Sequence, residues 1–260
     1  MKSTEEGPVS EDGNLQKYQS ADVVAYYAGL SGLQPVEDYL FHKWLPAGGA
    51  LLDLGVGGGR TTPALAALAG RYVGADYSLA MVEACRRRWP EREFVHCDAT
   101  DMACFAAQSF DAVVFPINGI DVIRSDAARA SCLAEIARVL RPGGVFIFSS
   151  HNARVLGTWP LLRDARGSRI PWRILRALVI SLLLAPRQLL SRVFWRGEGY
   201  LHDPVHGGMN HYVSTPQRLL PQLQRVGFEL LETANGHYPD VASASLAPWF
   251  YYACRLARQP

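Results

Sequence analysis

The sequence has no CxxC pair among its five cysteines, Cys85, Cys97, Cys104, Cys132 and Cys254. An odd number without paired spacing argues against a disulfide framework and a zinc ribbon, and predicts reduced, buried thiols in a cytoplasmic protein. It also lacks a long hydrophobic run. The longest uncharged apolar stretch, 177–186, is about half of the roughly 20 residues that span a bilayer, so a transmembrane anchor is not expected. The first residues, MKSTEEGPVSEDGN, are polar and acidic without an apolar core, so a secretory leader is not expected either. An excess of one sign of charge is almost absent: 26 Lys and Arg against 24 Asp and Glu leave +2, too balanced for a general nucleic-acid binder. Internal repeats and low-complexity tracts are missing. What is present, 49% hydrophobic and 19% charged residues over 260, is a globular balance, large enough for one domain with an insertion.

From residue 50 to 150 short apolar segments alternate with helical ones. Strands are expected at 50–54, 72–75, 93–96, 110–115 and 145–149, and helices at 61–69, 79–89 and 126–140. Pro63 in the first turn of a helix is tolerated, because its missing N–H would lack a partner there anyway. Such alternation predicts a parallel sheet with right-handed crossovers. Before it, 16–46 reads as one or two short helices, and residues 1–15 as a disordered tail. The rhythm breaks at 151–209, where 161–196 is apolar and rich in arginine with Asp164 as its one acid, followed by a glycine- and histidine-rich loop at 197–211. It resumes with a helix from about Thr215 to Val226, started by Pro216 and stopped by Gly227, and two final strands at 228–233 and 249–256.

The chemistry is carried by the turn after the first strand, Asp53-Leu54-Gly55-Val56-Gly57-Gly58-Gly59-Arg60. A glycine-rich turn between strand and helix lets a ligand approach the backbone, and the helix N-terminus adds N–H donors. Asp76 stands at the end of the second strand, 21 residues after Gly55, where a carboxylate accepts hydrogen bonds from ribose hydroxyls. The dinucleotide fingerprint needs Gly or Ala where Arg60 stands, and the Gly-Lys-Ser/Thr of a mononucleotide P-loop is missing. Asp53 beside the glycines suits a cofactor with an ammonium group better than a pyrophosphate.

These residues resemble class I S-adenosylmethionine-dependent methyltransferases. Asp53 to Gly59 looks like the family's first motif. Gly74-Ala75-Asp76-Tyr77-Ser78-x-x-Met81 resembles the second-strand motif, and Cys97-Asp98-Ala99 the adenine-reading position. Ser109 to Phe115 resembles the fourth-strand motif, and Leu140 to Val145 the turn into the fifth strand. Five motifs in order over about 100 residues make the likeness specific. Val56 departs from the family's Cys or Ala, harmlessly where the backbone makes the contacts. The resemblance implies an α/β fold: a Rossmann-like doubly wound seven-stranded, mostly parallel sheet with an antiparallel last strand, plus a helical insertion after strand five. The chain then divides into helices at 16–48 as a cofactor lid, a binding core at 49–150, a basic insertion at 151–210 as a substrate cap, and the rest of the core at 211–260.

By the same resemblance S-adenosylmethionine is the cofactor. Gly55, Val56, Gly57 and Gly59 line its methionine part. Asp53 orders that loop or meets the amino group, and Asp76 holds the ribose. Tyr77 and Met81 flank the adenine, Asp98 and Ala99 read its edge, and Phe115 and Pro116 face the methionine end. Transfer to a hydroxyl or amine needs a base, for which His151, Asn118 and Asp121 are candidates. His151 leads, with a structural hydrogen-bonding role as the bland alternative. No metal is expected, because the spacing of His202, His206 and His211 matches no strong ligand motif. The expected activity is methyl transfer to a small-molecule acceptor; the alternative is a catalytically inactive S-adenosylmethionine-binding protein. A nicotinamide dehydrogenase is disfavoured by Arg60. An RNA or protein methyltransferase of the planar-amine type is disfavoured by Phe115-Pro116-Ile117-Asn118. For 161–196 three readings stay open: a solvated helical pair, a substrate cap, or an interfacial helix on anionic membrane lipid. A homodimer also stays open.

Overall fold

A computed structural model of the chain describes residues 12–154, 191–203, 209–239 and 247–258. Three helices, α1 (Asp12–Tyr18), α2 (Ala21–Gly29) and α3 (Pro35–Trp44), precede the sheet. The alternating part follows as β1 (Ala50–Leu54), α4 (Thr62–Leu68), β2 (Arg71–Asp76), α5 (Leu79–Arg88), β3 (Glu93–His96), β4 (Phe110–Phe115), a 3₁₀ turn (Gly119–Val122), α6 (Asp126–Val139) and β5 (Leu140–His151). Next come α7 (Arg192–Arg196), β6 (Glu198–Asp203), β7 (Met209–Ser214), α8 (Pro216–Arg225), β8 (Phe228–Asn235) and β9 (Trp249–Leu256).

Seven strands form one sheet in the order β3-β2-β1-β4-β5-β9-β8. The first five are mutually parallel, and β9 runs antiparallel to both of its neighbours. The antiparallel strand is thus the last in sequence, yet it is inserted between β5 and β8. The strand order reverses at β1 and β4, the switch point outside whose carboxyl ends ligands bind in open α/β sheets.

Consecutive residues of a strand feed opposite faces of the sheet. Leu52, Val113 and Phe146 pack against Ile136 of α6 and Leu219 and Leu223 of α8. Leu51, Val114 and Ile147 pack against Leu40 and Phe41 of α3, Leu65 of α4 and Val82 of α5. Each fully buried Leu, Ile or Phe contributes about 1.5–3 kcal/mol by leaving water. Local signals set the helix ends. Ser78 accepts from the Met81 N–H at the start of α5, and Ser125 accepts from the Ala128 N–H at the start of α6. Pro35 and Pro216 occupy first turns of α3 and α8.

The structure departs from the sequence expectations in three places. Residues 12–15 belong to α1 rather than to a tail, and Asn14 is buried, its amide donating to Val122 O (3.4 Å) and its carbonyl accepting from Arg124 (3.2 Å). Four residues are too short for a periodic pattern to emerge. Where a loop is expected at 197–211, strands β6 and β7 pair antiparallel as a separate two-stranded sheet, from Glu198↔Ser214 to Asp203↔Met209. Residues 211–214 are all buried, so no alternation of apolar and polar residues marks the second strand. And β5 begins at Leu140, because Leu140 already pairs with Phe110 before the ladder resumes at Ala112↔Val145. Most of the arginine-rich stretch lies outside the described residues; of it, α7 is helical.

Candidate functional site

The glycine turn leaves β1 with Gly55 and Gly57 at φ of +66° and +54°. A side chain is unwelcome there: a Cβ on Gly55 would stand 2.6 Å from the Phe115 ring. The turn is also covered. A Cβ on Gly58 would stand 2.3 Å from the backbone nitrogen of Ala28 at the end of α2. The Val56 N–H donates to Ala75 O (3.0 Å), and the Gly57 N–H donates to Asp76 Oδ2 (2.8 Å). The other carboxylate oxygen of Asp76 accepts from the Ser78 N–H (2.8 Å). Asp76 thereby ties the tip of β2 to the glycine turn. Burial raises its pKa to about 6, against the pull of those backbone donors.

Above the carboxyl ends of β1, β2 and β4 lies a cavity of about 800 Å³. Of the residues predicted for the cofactor, Gly55, Val56, Gly57, Asp76, Tyr77, Met81, Asp98, Ala99, Phe115 and Pro116 line it. Asp53 and Gly59 do not. Asp53 is fully buried beneath the turn, where its Oδ2 accepts from Thr61 Oγ1 (2.7 Å) and the Tyr72 hydroxyl (2.9 Å). It fastens α4 to β1 and β2, and burial raises its pKa to about 6. Gly59 (φ +80°) makes room for Trp89 beyond α5, whose ring a Cβ would approach to 2.2 Å. Its need for glycine comes from packing rather than from a ligand.

Further residues line the cavity, among them tyrosines of the helices at 16–48 expected as a lid. Tyr18 and Tyr27 enter from α1 and α2, and Tyr18 stands edge-on to Tyr77 at 5.9 Å between centroids. Burial holds the Tyr18 and Tyr77 hydroxyls well above their usual pKa. Arg60, read only as a break in the dinucleotide fingerprint, makes a two-pronged ion pair with Glu37 of α3 (2.7 and 2.6 Å). Glu37 is fully buried and also accepts from the Tyr251 hydroxyl (2.7 Å). A lone Glu in a helix gave no signal of this. Ile117, Gly119, Cys97 and Arg124 complete the wall. Ile117 (φ +51°) and Asn118 (φ +55°) are both left-handed, a costly conformation for a β-branched residue and a common mark of functional loops.

A polar cluster borders the cavity behind Ile117 and Gly119. Asp121, wholly buried, accepts from the His151 backbone N–H (2.7 Å) and Ser150 Oγ (2.8 Å), and its Oδ2 lies 2.8 Å from His151 Nδ1. Asn118 Nδ2 lies 3.1 Å from His151 Nε2. The buried Arg129 guanidinium sits 3.8 Å from Asp121 and over the Tyr212 ring at 3.6 Å. The structure thus brings the three base candidates together, though none of them lines the cavity itself. Among the described residues no group of three or more His, Cys, Asp or Glu is arranged to hold a metal ion. No described helix is long and apolar enough to cross a membrane.

Residues 52–148 match the family model described as a methyltransferase domain. Over residues 52–148 the chain carries a methyltransferase domain, in line with the resemblance to class I S-adenosylmethionine-dependent methyltransferases. A demethylmenaquinone methyltransferase of Clavibacter sepedonicus is 43% identical over 101 residues, 38% of this chain and 39% of the relative. The chain spans about two fifths of the length of the curated relatives it matches. Among solved structures, the Burkholderia thailandensis 1,6-didemethyltoxoflavin-N1-methyltransferase, with its substrate and S-adenosylhomocysteine bound, superposes with a TM-score of 0.60 at 16% identity, covering 96% of this chain and 92% of that one. The [4+2]-cyclase SpnF superposes with a TM-score of 0.61 at 15% identity, covering 96% and 98%. Likeness at that identity shows the fold of the methyltransferase domain and nothing of the reaction.

Proposed function

We propose that the chain is an S-adenosylmethionine-dependent methyltransferase acting on a hydroxyl or amine of a small-molecule acceptor. The observation that carries this reading is the Asp76 carboxylate at the tip of β2, bonded to the glycine turn and lining a cavity of about 800 Å³. Each of its oxygens holds one backbone N–H, which leaves acceptor capacity for the two hydroxyls of a ribose. Asp98 and Ala99 stand at the next strand tip for the adenine edge, with Tyr77 and Met81 beside them. Gly55 and Gly57 leave backbone open to the methionine part. When bound, the cofactor supplies a sulfonium-activated methyl carbon, so the protein's task is alignment, exclusion of water and removal of a proton.

Helices α1 and α2 act as the lid. Ser78 Oγ donates to Tyr18 O (2.9 Å) and Arg88 to Ala28 O (2.6 Å), fastening both helices over the cavity. His151 is the base. Asp121 takes its Nδ1–H, which leaves Nε2 with a free electron pair, met here by the Asn118 amide. An acceptor hydroxyl that displaces this amide gives its proton to Nε2. The names of the relatives make a demethylated quinol, which carries the hydroxyls that a quinone lacks, the first acceptor to try.

Calorimetry of S-adenosylhomocysteine against NAD tests the cofactor. Binding of the former alone is expected, and binding of NAD alone overturns the reading. Release of S-adenosylhomocysteine with a panel of phenols, amines and quinols then tests catalysis. Tight cofactor binding without turnover of any of them would favour a binding protein instead.

A further inference from the structure

We infer that Cys97 and Cys104 form a reversible dithiol–disulfide site built into the wall of the cofactor cavity. Their sulfurs lie 3.0 Å apart, while a disulfide bond measures about 2.05 Å, so closure needs an approach of about 1 Å. The two differ in access. Cys104 is exposed, and Cys97 is buried and lines the cavity. The other three cysteines are buried.

The partners are held in place. Arg138 of α6 donates to Met102 O (2.8 Å) and Phe105 O (3.0 Å), on either side of Cys104, and the Met102 N–H donates to Glu135 (2.8 Å). At the other end the Cys97 N–H donates to the backbone oxygen of Asp76 (3.0 Å). The eight-residue ring from Cys97 to Cys104 therefore contains Asp98, Ala99 and Thr100 of the cavity wall. Cys97 is tied to Asp76, and Met102 and Phe105 are tied to Arg138, so closure loads the stretch between the two anchors, which holds those cavity residues. Closure also ends the contacts of the Cys97 thiol with Asp98 O (3.6 Å) and Asp101 O (3.9 Å).

The chemistry balances with a peroxide as oxidant. The Cys104 thiolate attacks hydrogen peroxide; an S–O bond forms, the O–O bond breaks, and the released hydroxide takes up the Cys104 proton as water. Cys97 sulfur then attacks Cys104 sulfur; the S–S bond forms, the S–O bond breaks, and hydroxide leaves with the Cys97 proton as a second water. Burial and the neighbouring Cys104 keep the Cys97 thiol protonated at neutral pH, so this second step quickens as pH rises. A dithiol reductant restores both thiols.

The test uses the whole chain, treated with hydrogen peroxide, quenched with an alkylating reagent and mapped by mass spectrometry. We expect loss of two hydrogen atoms, a cross-linked peptide joining Cys97 to Cys104, and reversal by dithiothreitol. Cys104→Ser should show no such cross-link. On oxidation, wild-type affinity for S-adenosylhomocysteine should fall about fivefold and recover on reduction, while Cys104→Ser stays unaffected. By linkage, saturating S-adenosylhomocysteine should shift the pair toward the dithiol in a glutathione buffer by the same factor. Absence of the 97–104 cross-link overturns the site, and a cross-link with unchanged affinity overturns its coupling to the cavity. The coupling rests on the cofactor reading proposed above, whereas the cross-link does not. Reduced protein that fails to bind S-adenosylhomocysteine would sink that reading and leave the mass measurement to decide the dithiol site.

Discussion

His151 Nδ1 lies 2.8 Å from Oδ2 of Asp121, a carboxylate with no solvent exposure. The same oxygen takes the His151 backbone N–H, so ring and backbone are held by one atom. If His151 is the base, His151→Ala lowers kcat by about 10²–10⁴-fold, the usual scale of general base catalysis. Cofactor affinity stays within about twofold, because His151 does not line the cavity. Asp121→Asn keeps the shape but releases the tautomer, so it should lower kcat with a changed pH profile. Steady-state kinetics with calorimetry on each variant decides. Unchanged kcat in His151→Ala removes the base role.

Asp76 makes the binding pH-dependent. Its pKa in the free protein, about 6, means that the carboxylate is present at pH 7.5 and largely protonated at pH 5. Ribose hydroxyls need the charged form as acceptor. Affinity for S-adenosylhomocysteine should then be flat above pH 7 and fall toward about tenfold per unit below pH 6. Asp76→Ala should weaken binding by about 1–3 kcal/mol at pH 7.5 and flatten the profile. Calorimetry from pH 5 to 8 checks both; a profile that keeps its slope in the variant assigns it elsewhere.

Gly55 and Gly59 separate binding from stability. Gly59 has φ +80° and no room against Trp89, yet it lies off the cavity. Gly59→Ala should cost about 1–3 kcal/mol of stability through strain and overpacking. Its cofactor affinity, measured on the folded fraction, should be near that of the wild type. Urea unfolding combined with calorimetry tests this. Lost affinity at unchanged stability would return Gly59 to the ligand.

The sheet and most of the cavity wall were legible because each depends on local pattern. Short apolar runs alternating with helical periods give the strands, and glycines beside Asp53 and Asp76 mark the turn and the ribose site. What stayed hidden depends on contacts far apart in sequence. Glu37 meets Arg60 across 23 residues and Tyr251 across 214, and neither partner announces the other. Gly59 sits inside the motif, so proximity in sequence implied contact with the ligand, whereas the fold turns it toward Trp89; Asp53, read as ordering the loop or meeting an amino group, is bonded beneath the turn to Thr61 and Tyr72. The β6–β7 pair escaped because the pairing of its strands shows only once they stand side by side.

Asp53 gives a stability prediction whose sign follows from its burial. Its folded pKa, about 6, lies above its ordinary value of 3.8, so the native state binds the proton more tightly than the unfolded chain. Between those values the folded protein carries more protons, and stability therefore falls as pH rises from about 4 to 6. Above pH 6 the cost of the buried charge is fully present, on the order of 3 kcal/mol. Below about pH 4 it is gone. Asp53→Asn keeps an oxygen to accept from Thr61 and Tyr72 and removes the charge, so this contribution to the slope should vanish while Asp76 retains its own. Urea unfolding at pH 4.5 and 7 should show the variant gaining on the wild type as pH rises. A difference between the two proteins that does not change with pH would mean that Asp53 titrates near its ordinary value, and that Thr61 and Tyr72 stabilise its charge more than burial opposes it.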